Sequence, residues 1–160
     1  MKRSLVALLP LASLGLLGNA HAATDTTTFN VTITITESCD IHTVAATDVD
    51  FGSVVRSSAA VSESASGNLV VNCSDGTPYT IGLNNGGNYS GSRRMTDGTN
   101  FVSYGLFRDN AHSNPWGNTT DLLSGTGDGT DQNIPVYGLV TSVNVPAGTY
   151  NDIVTATVTY

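Results

Sequence analysis

Near the start of the chain, Phe29-Asn30-Val31-Thr32-Ile33-Thr34-Ile35-Thr36 alternates strictly between apolar and polar residues. In an extended strand, neighbouring side chains point to opposite faces, so Phe29, Val31, Ile33 and Ile35 share one face and the polar set takes the other. Helical geometry cannot gather these four on one side. The chain must therefore find a sheet or groove that accepts this apolar face. That groove belongs either to this molecule, making the segment an ordinary first strand, or to a neighbouring one.

The alternating segment follows a secretory signal. Lys2 and Arg3 form its positive region, Leu5 to Leu17 is almost wholly apolar around Pro10, and Ala20-His21-Ala22 fits the small-x-small cleavage pattern. Cleavage is expected after Ala22. That divides the chain into a signal over 1–22, an N-terminal strand over 23–36 and a single domain over 37–160. The signal run is too short to span a bilayer comfortably, and no later segment offers a helical span.

After residue 22 the chain keeps Arg56, Arg93, Arg94 and Arg108 and no lysine. Four basic residues stand against thirteen acidic ones, a formal net charge of −9. That balance excludes nucleic acid as a partner, because phosphate backbones require basic contacts. It also disfavours adsorption to anionic lipid and is in keeping with solubility.

Cys39 and Cys73 are the only cysteines. In an exported chain such a pair reads most simply as a disulfide, stabilising by about 3–4 kcal/mol on the chain-entropy model. A metal site built on Cys39 and His42 is the rival, and it lacks the two further ligands it needs.

From residue 24 onward Thr, Ser, Gly, Asn and Val dominate, and short alternating runs are separated by turn residues. Leu69, Val71 and Cys73 alternate before Asp75-Gly76-Thr77-Pro78. Tyr79, Ile81 and Leu83 alternate before the Asn84–Asn88 turn, and Val102, Tyr104 and Leu106 before Asp109-Asn110. Ile134, Val136 and Val140 mark another strand. Val154, Ala156, Val158 and Tyr160 mark the last, expected to be paired and packed to its end. Such spacing predicts an all-β sandwich of immunoglobulin type. Trp116 follows Cys73 instead of lying between the cysteines, so an antibody-like domain is not expected. Gly117–Asn133 reads as a surface excursion or ligand loop, and Arg93-Arg94 as a solvated loop.

Catalytic chemistry finds no support. Outside the signal the histidines are His42 and His112, and no serine lies in a Gly-x-Ser-x-Gly context. Glu37 and Glu63 are the only glutamates, and the aspartates scatter through turn-like contexts. Asp128 and Asp131 offer oxygen ligands without the spacing of a calcium loop. Neither a cofactor nor a small-molecule substrate is implied. The Asn-x-Ser/Thr triplets beginning at Asn30, Asn72, Asn88 and Asn118 are given no role, since a chain rich in Asn and Thr produces them by chance.

Several short motifs occur in order: Glu37-Ser38-Cys39, Asp50-Phe51-Gly52, Gly67-Asn68-Leu69-Val70-Val71-Asn72-Cys73, Tyr104-Gly105-Leu106-Phe107-Arg108-Asp109, Trp116-Gly117, Ile134-Pro135-Val136-Tyr137-Gly138, Pro146-Ala147-Gly148-Thr149-Tyr150 and a closing Val158-Thr159-Tyr160. In these, residues 24–160 resemble the spore coat protein U family, which includes subunits of archaic (Csu-type) chaperone–usher pili. Asn118-Thr119 departs from the Asp/Asn-Gly that often follows Trp-Gly in the family.

The resemblance implies an incomplete immunoglobulin-like sandwich with a free N-terminal donor strand. A periplasmic chaperone would lend a strand to the gap. At the outer-membrane usher, the next subunit would replace it with its own N-terminal strand, through Phe29, Val31, Ile33 and Ile35. Val158 and Tyr160 would meet the chaperone at the C-terminus. The partners implied are that chaperone, the usher and neighbouring subunits, in an exported structural protein at the cell surface. Two alternatives keep the fold: a carbohydrate-binding tip adhesin using Trp116 and Tyr89, or a spore or cell-surface coat protein. N-terminal sequencing of the exported protein should return Ala23 first; a retained Lys2-Arg3 region would overturn the signal assignment.

Overall fold

The computed structural model of the chain describes residues 22–160, so all of the expected signal except Ala22 lies outside the described residues. The chain divides after Thr34. The described part of the first unit, residues 22–34, carries no strand or β-bridge.

The second unit is all-β. Its strands are β1 (Cys39–Asp40), β2 (Glu63–Cys73), β3 (Pro78–Leu83), β4 (Arg93–Thr96), β5 (Phe101–Phe107), β6 (Leu123–Thr126), β7 (Asp131–Val140) and β8 (Ala156–Thr159). They form a five-stranded sheet in the order β1-β2-β7-β5-β4 and a three-stranded sheet in the order β6-β3-β8. Every pairing is antiparallel. The longest ladder joins β2 to β7, from Glu63 opposite Val140 to Asn72 opposite Asp131. Two open sheets facing one core are consistent with an incomplete immunoglobulin-like sandwich.

Period-two patterning explains the core. Leu69, Val71 and Cys73 of β2, Tyr79, Ile81 and Leu83 of β3, Leu106 of β5 and Val136 of β7 are buried together with Trp116. The disulfide is formed: Cys39 and Cys73 are bonded, with Cα atoms 4.0 Å apart, and they face each other across β1 and β2. The metal alternative therefore falls, and His42 lies exposed beside Asp40.

Trp116 is 1% exposed. Its Nε1–H donates to the Ile81 carbonyl at 2.8 Å, and its main-chain N–H donates to the Leu106 carbonyl at 2.9 Å. One residue thus ties β3 of one sheet to β5 of the other. This corrects its proposed role in stacking on sugar: a buried indole with its only donor satisfied has no face for a ligand.

Three other expectations change. Arg93-Arg94 forms part of β4. The Arg93 guanidinium donates to the carbonyls of Leu83 and Asn84 at 2.7 and 2.9 Å, and Arg94 lies 4.2 Å over the Phe101 ring. Carbonyl acceptors and an aromatic face hold these cations in place of water. Gly117–Asn133 is not one loop, because it contains β6 and the start of β7. Regular pairing ends at Thr159, and Tyr160 is 58% exposed instead of packed.

Trp116→Ala should destabilise the domain by about 3–5 kcal/mol, through the cavity and the orphaned Ile81 carbonyl. Trp116→Phe should cost less, and comparison of urea midpoints checks the order. Cys39→Ser should lower the midpoint too, through a loss of stability on the order of 2–4 kcal/mol.

Candidate functional site

β8 is the edge of its sheet, hydrogen-bonded to β3 from Ala156 opposite Leu83 to Thr159 opposite Thr80. Among the described residues no strand pairs with its other edge. Val154, Ala156 and Val158 point inward and pack on the core, yet all three stay only half-buried. An inward-facing valine in a closed sandwich is normally dry. The alternation read in the sequence is therefore correct, but one side of the strand lacks cover.

A second rim comes from the five-stranded sheet. β1 is cut short at Asp40, whose Oδ1 accepts the main-chain N–H groups of His42 and Thr43 at 2.8 and 2.7 Å. The Thr43 amide, then the Thr43 side chain and the His42 amide, hold the Asp40 carboxyl down at about 2. The chain returns to β2 at Thr47, which exchanges two main-chain hydrogen bonds with Asn68. From there it runs without strand structure until Glu63. The N–H groups of Gly52 and Ala59 bond locally, to Asp50 Oδ1 and Ser57 Oγ. Backbone that forms no ladder in a β domain is backbone with pairing capacity to spare.

The two rims border the same core. Ile41 and Val49 on one and Val154, Ala156 and Val158 on the other are half-buried against it. Gly138 makes the space that Val49 and Phe51 occupy, since a Cβ there would strike both side chains. Arg56 is near enough to the Tyr150 phenol to offset part of the rise that burial and Asp97 impose on it. The candidate site is thus the set of incompletely covered apolar positions on the edge strand and on the chain that leaves β1, Val154, Ala156 and Val158 with Ile41 and Val49. Val55 and Ile153 lie exposed along these rims, at 87% and 81%.

In the N-terminal segment Phe29, Val31, Ile33 and Ile35 are 83–87% exposed. Val158 lies in β8, half-buried and opposite Ile81, and Tyr160 just beyond it. Tyr89 is half-exposed in the turn before β4. The rim over Val49–Ala60 was not singled out in the sequence as part of a site. Its only signal is Asp50-Phe51-Gly52 followed by a Ser- and Ala-rich run without alternation. Among the described residues, no three His, Cys, Asp or Glu side chains gather as a metal site would require.

Comparison with known proteins finds relatives in both sequence and fold. The chain is 35% identical to Protein U of Myxococcus xanthus over 176 aligned positions, covering 100% of this chain and 98% of that protein. Among solved structures it resembles the CsuC–CsuE chaperone–tip adhesion subunit pre-assembly complex from the archaic chaperone–usher Csu pili of Acinetobacter baumannii. The TM-score is 0.58 at 30% identity, over 79% of this chain. The chain spans 40% of the length of the matched chain. The Spore Coat Protein U domain model matches residues 25–157, a span that runs from the alternating segment to the first half of β8, and the chain belongs to that family.

Proposed function

We propose that the chain is an exported structural subunit of a surface fibre, assembled by strand donation along the chaperone–usher route and supporting adhesion or biofilm formation. One observation carries the reading. The chain holds an apolar surplus, Phe29, Val31, Ile33 and Ile35 exposed, together with an apolar deficit, Val154, Ala156 and Val158 half-covered beside an unpaired edge. A strand whose alternate side chains are apolar has the period needed to fill such an opening.

Burying four such side chains is worth about 6–12 kcal/mol before ordering costs. Main-chain hydrogen bonds along both rims add to that. Ordering the segment removes part of the gain. A chaperone strand would occupy the opening first, with Val158 and Tyr160 at its contact, and an outer-membrane usher would be where a neighbouring subunit replaces it. The route leads through the periplasm to the cell surface. The likeness to a complex of chaperone and pilus subunit supports these partners.

A coat protein is the second reading, favoured by the near full-length likeness to Protein U. It uses the same opening and changes only what is built. The tip-adhesin reading loses Trp116 to the core and keeps only Tyr89.

The test substitutes neighbouring positions of the N-terminal segment. Ile33→Asp puts a carboxylate into an apolar pocket, where it is costly unless paired. Thr32→Asp places the same charge on the opposite face. In cells making chaperone and usher, Ile33→Asp should abolish the ladder of SDS-resistant multimers, and Thr32→Asp should leave it nearly intact. Equal assembly by the two variants would refute strand donation through this face.

A further inference from the structure

The last strand presents a puzzle of support. β8 has four paired residues on one edge, no strand among the described residues on the other and a half-covered inner face. Such an edge frays readily. A straight, registered acceptor needs an anchor elsewhere.

That anchor lies just upstream. Asn151 exchanges main-chain hydrogen bonds with Thr96, at 2.9 and 3.0 Å. Thr155 donates its N–H to Asn84 Oδ1 at 2.9 Å, and its carbonyl accepts from the Asn84 N–H at 2.9 Å. Between them, the Asp152 carboxylate collects three donors. Gly87 N–H and Asn88 Nδ2 reach Oδ1 at 2.8 and 3.2 Å, and the Tyr104 hydroxyl reaches Oδ2 at 2.7 Å. Gly86, at φ +78°, makes this possible: a Cβ there would collide with the carboxylate. Burial, then the Asp152 bond, pushes the Tyr104 phenol up, so it stays a donor. Tyr104 belongs to β5 of one sheet, whereas the turn begins at the end of β3 in the other. One carboxylate therefore joins the start of the acceptor strand to both sheets.

We infer that Asp152 is the positioning residue for strand addition: it fixes the start of the last strand so that its free edge is presented straight and in register to an incoming strand. This role rests on the strand-donation reading. It is distinct from general support of the fold in what it holds: the network grips Asn151, Asp152 and Thr155, just upstream of β8, and reaches the five-stranded sheet through Thr96 and Tyr104 without pairing with β2 or β7.

The test uses the exported full chain as wild type, Asp152→Ala and Asp152→Asn, with a labelled synthetic peptide of residues 27–36 as the probe. Capture is read as peptide that stays bound on unheated SDS gels over time. Hydrogen exchange is followed in 153–159 and, as an internal control, in β2 and β7. Asp152→Ala removes a charge-assisted network, so capture should slow about tenfold or more. Residues 153–159 should exchange faster while β2 and β7 keep their protection. Asp152→Asn retains the Oδ1 acceptor and can donate to the Tyr104 oxygen, so it should stay within about threefold of wild type.

Capture by Asp152→Ala at the wild-type rate would overturn the role and leave strand donation standing. So would loss of protection throughout β2 and β7, which marks a merely structural residue. If wild type captures no peptide and forms no multimers, strand donation itself fails and this role with it.

Discussion

A β-strand satisfies its backbone on both edges or leaves one row of donors and acceptors to solvent, and among the described residues β8 is paired on one side only. The remaining features of the site follow from that. Val154, Ala156 and Val158 point at the core but are only half-covered, so the core is incompletely closed along that side. A fully buried valine gains about 1.5–3 kcal/mol over an exposed one, and these positions realise only part of it. The run from Val49 to Ala60 likewise lies without strand structure.

A sandwich with an open side keeps its shape by concentrating its strength elsewhere. The β2–β7 ladder is long and continuous. Trp116 locks the sheets together with one indole hydrogen bond and one main-chain bond. The Cys39–Cys73 bond pins β1, which has only two residues in its ladder, to the end of β2. Stability in such a domain is uneven, highest around Val71, Ile81 and Trp116 and lowest along the rims. That distribution is what the proposed exchange of one strand for another would require, since opening the rims would leave the centre packed.

The polar network around Asp152 answers a different need. Apolar packing is non-directional and cannot by itself set the register of a lone edge strand. Hydrogen bonds are directional, and those of Asp152, Asn84 and the Asn151–Thr96 bridge fix where the last strand begins. The network stands at the upstream end of the strand and leaves its free edge clear.

How much of this was legible in the sequence varied by element. Strands β2, β3, β5, β7 and β8 announce themselves, because Leu69-Val71-Cys73, Tyr79-Ile81-Leu83 and their counterparts alternate at period two. The turn aspartates are equally local: Asp50, Asp97, Asp109 and Asp128 each accept N–H groups from residues no more than five positions on. β4 and β6 were hidden, since Arg93-Arg94-Met95-Thr96 and Leu123-Ser124-Gly125-Thr126 lack that pattern and become strands only by pairing with β5 and β3. Trp116 looked like a loop aromatic until Ile81, 35 residues away, supplied an acceptor. Asp152 gave no signal at all, because its donors lie 48 to 65 residues distant. The sequence by itself determined the all-β class, the apolar face of the N-terminal segment and the cysteine pair, all properties of periodicity or composition over short spans. Only the tertiary structure decided which strand is left with an open edge, where the core lacks cover and what anchors that edge, because each depends on contacts between residues far apart in the chain.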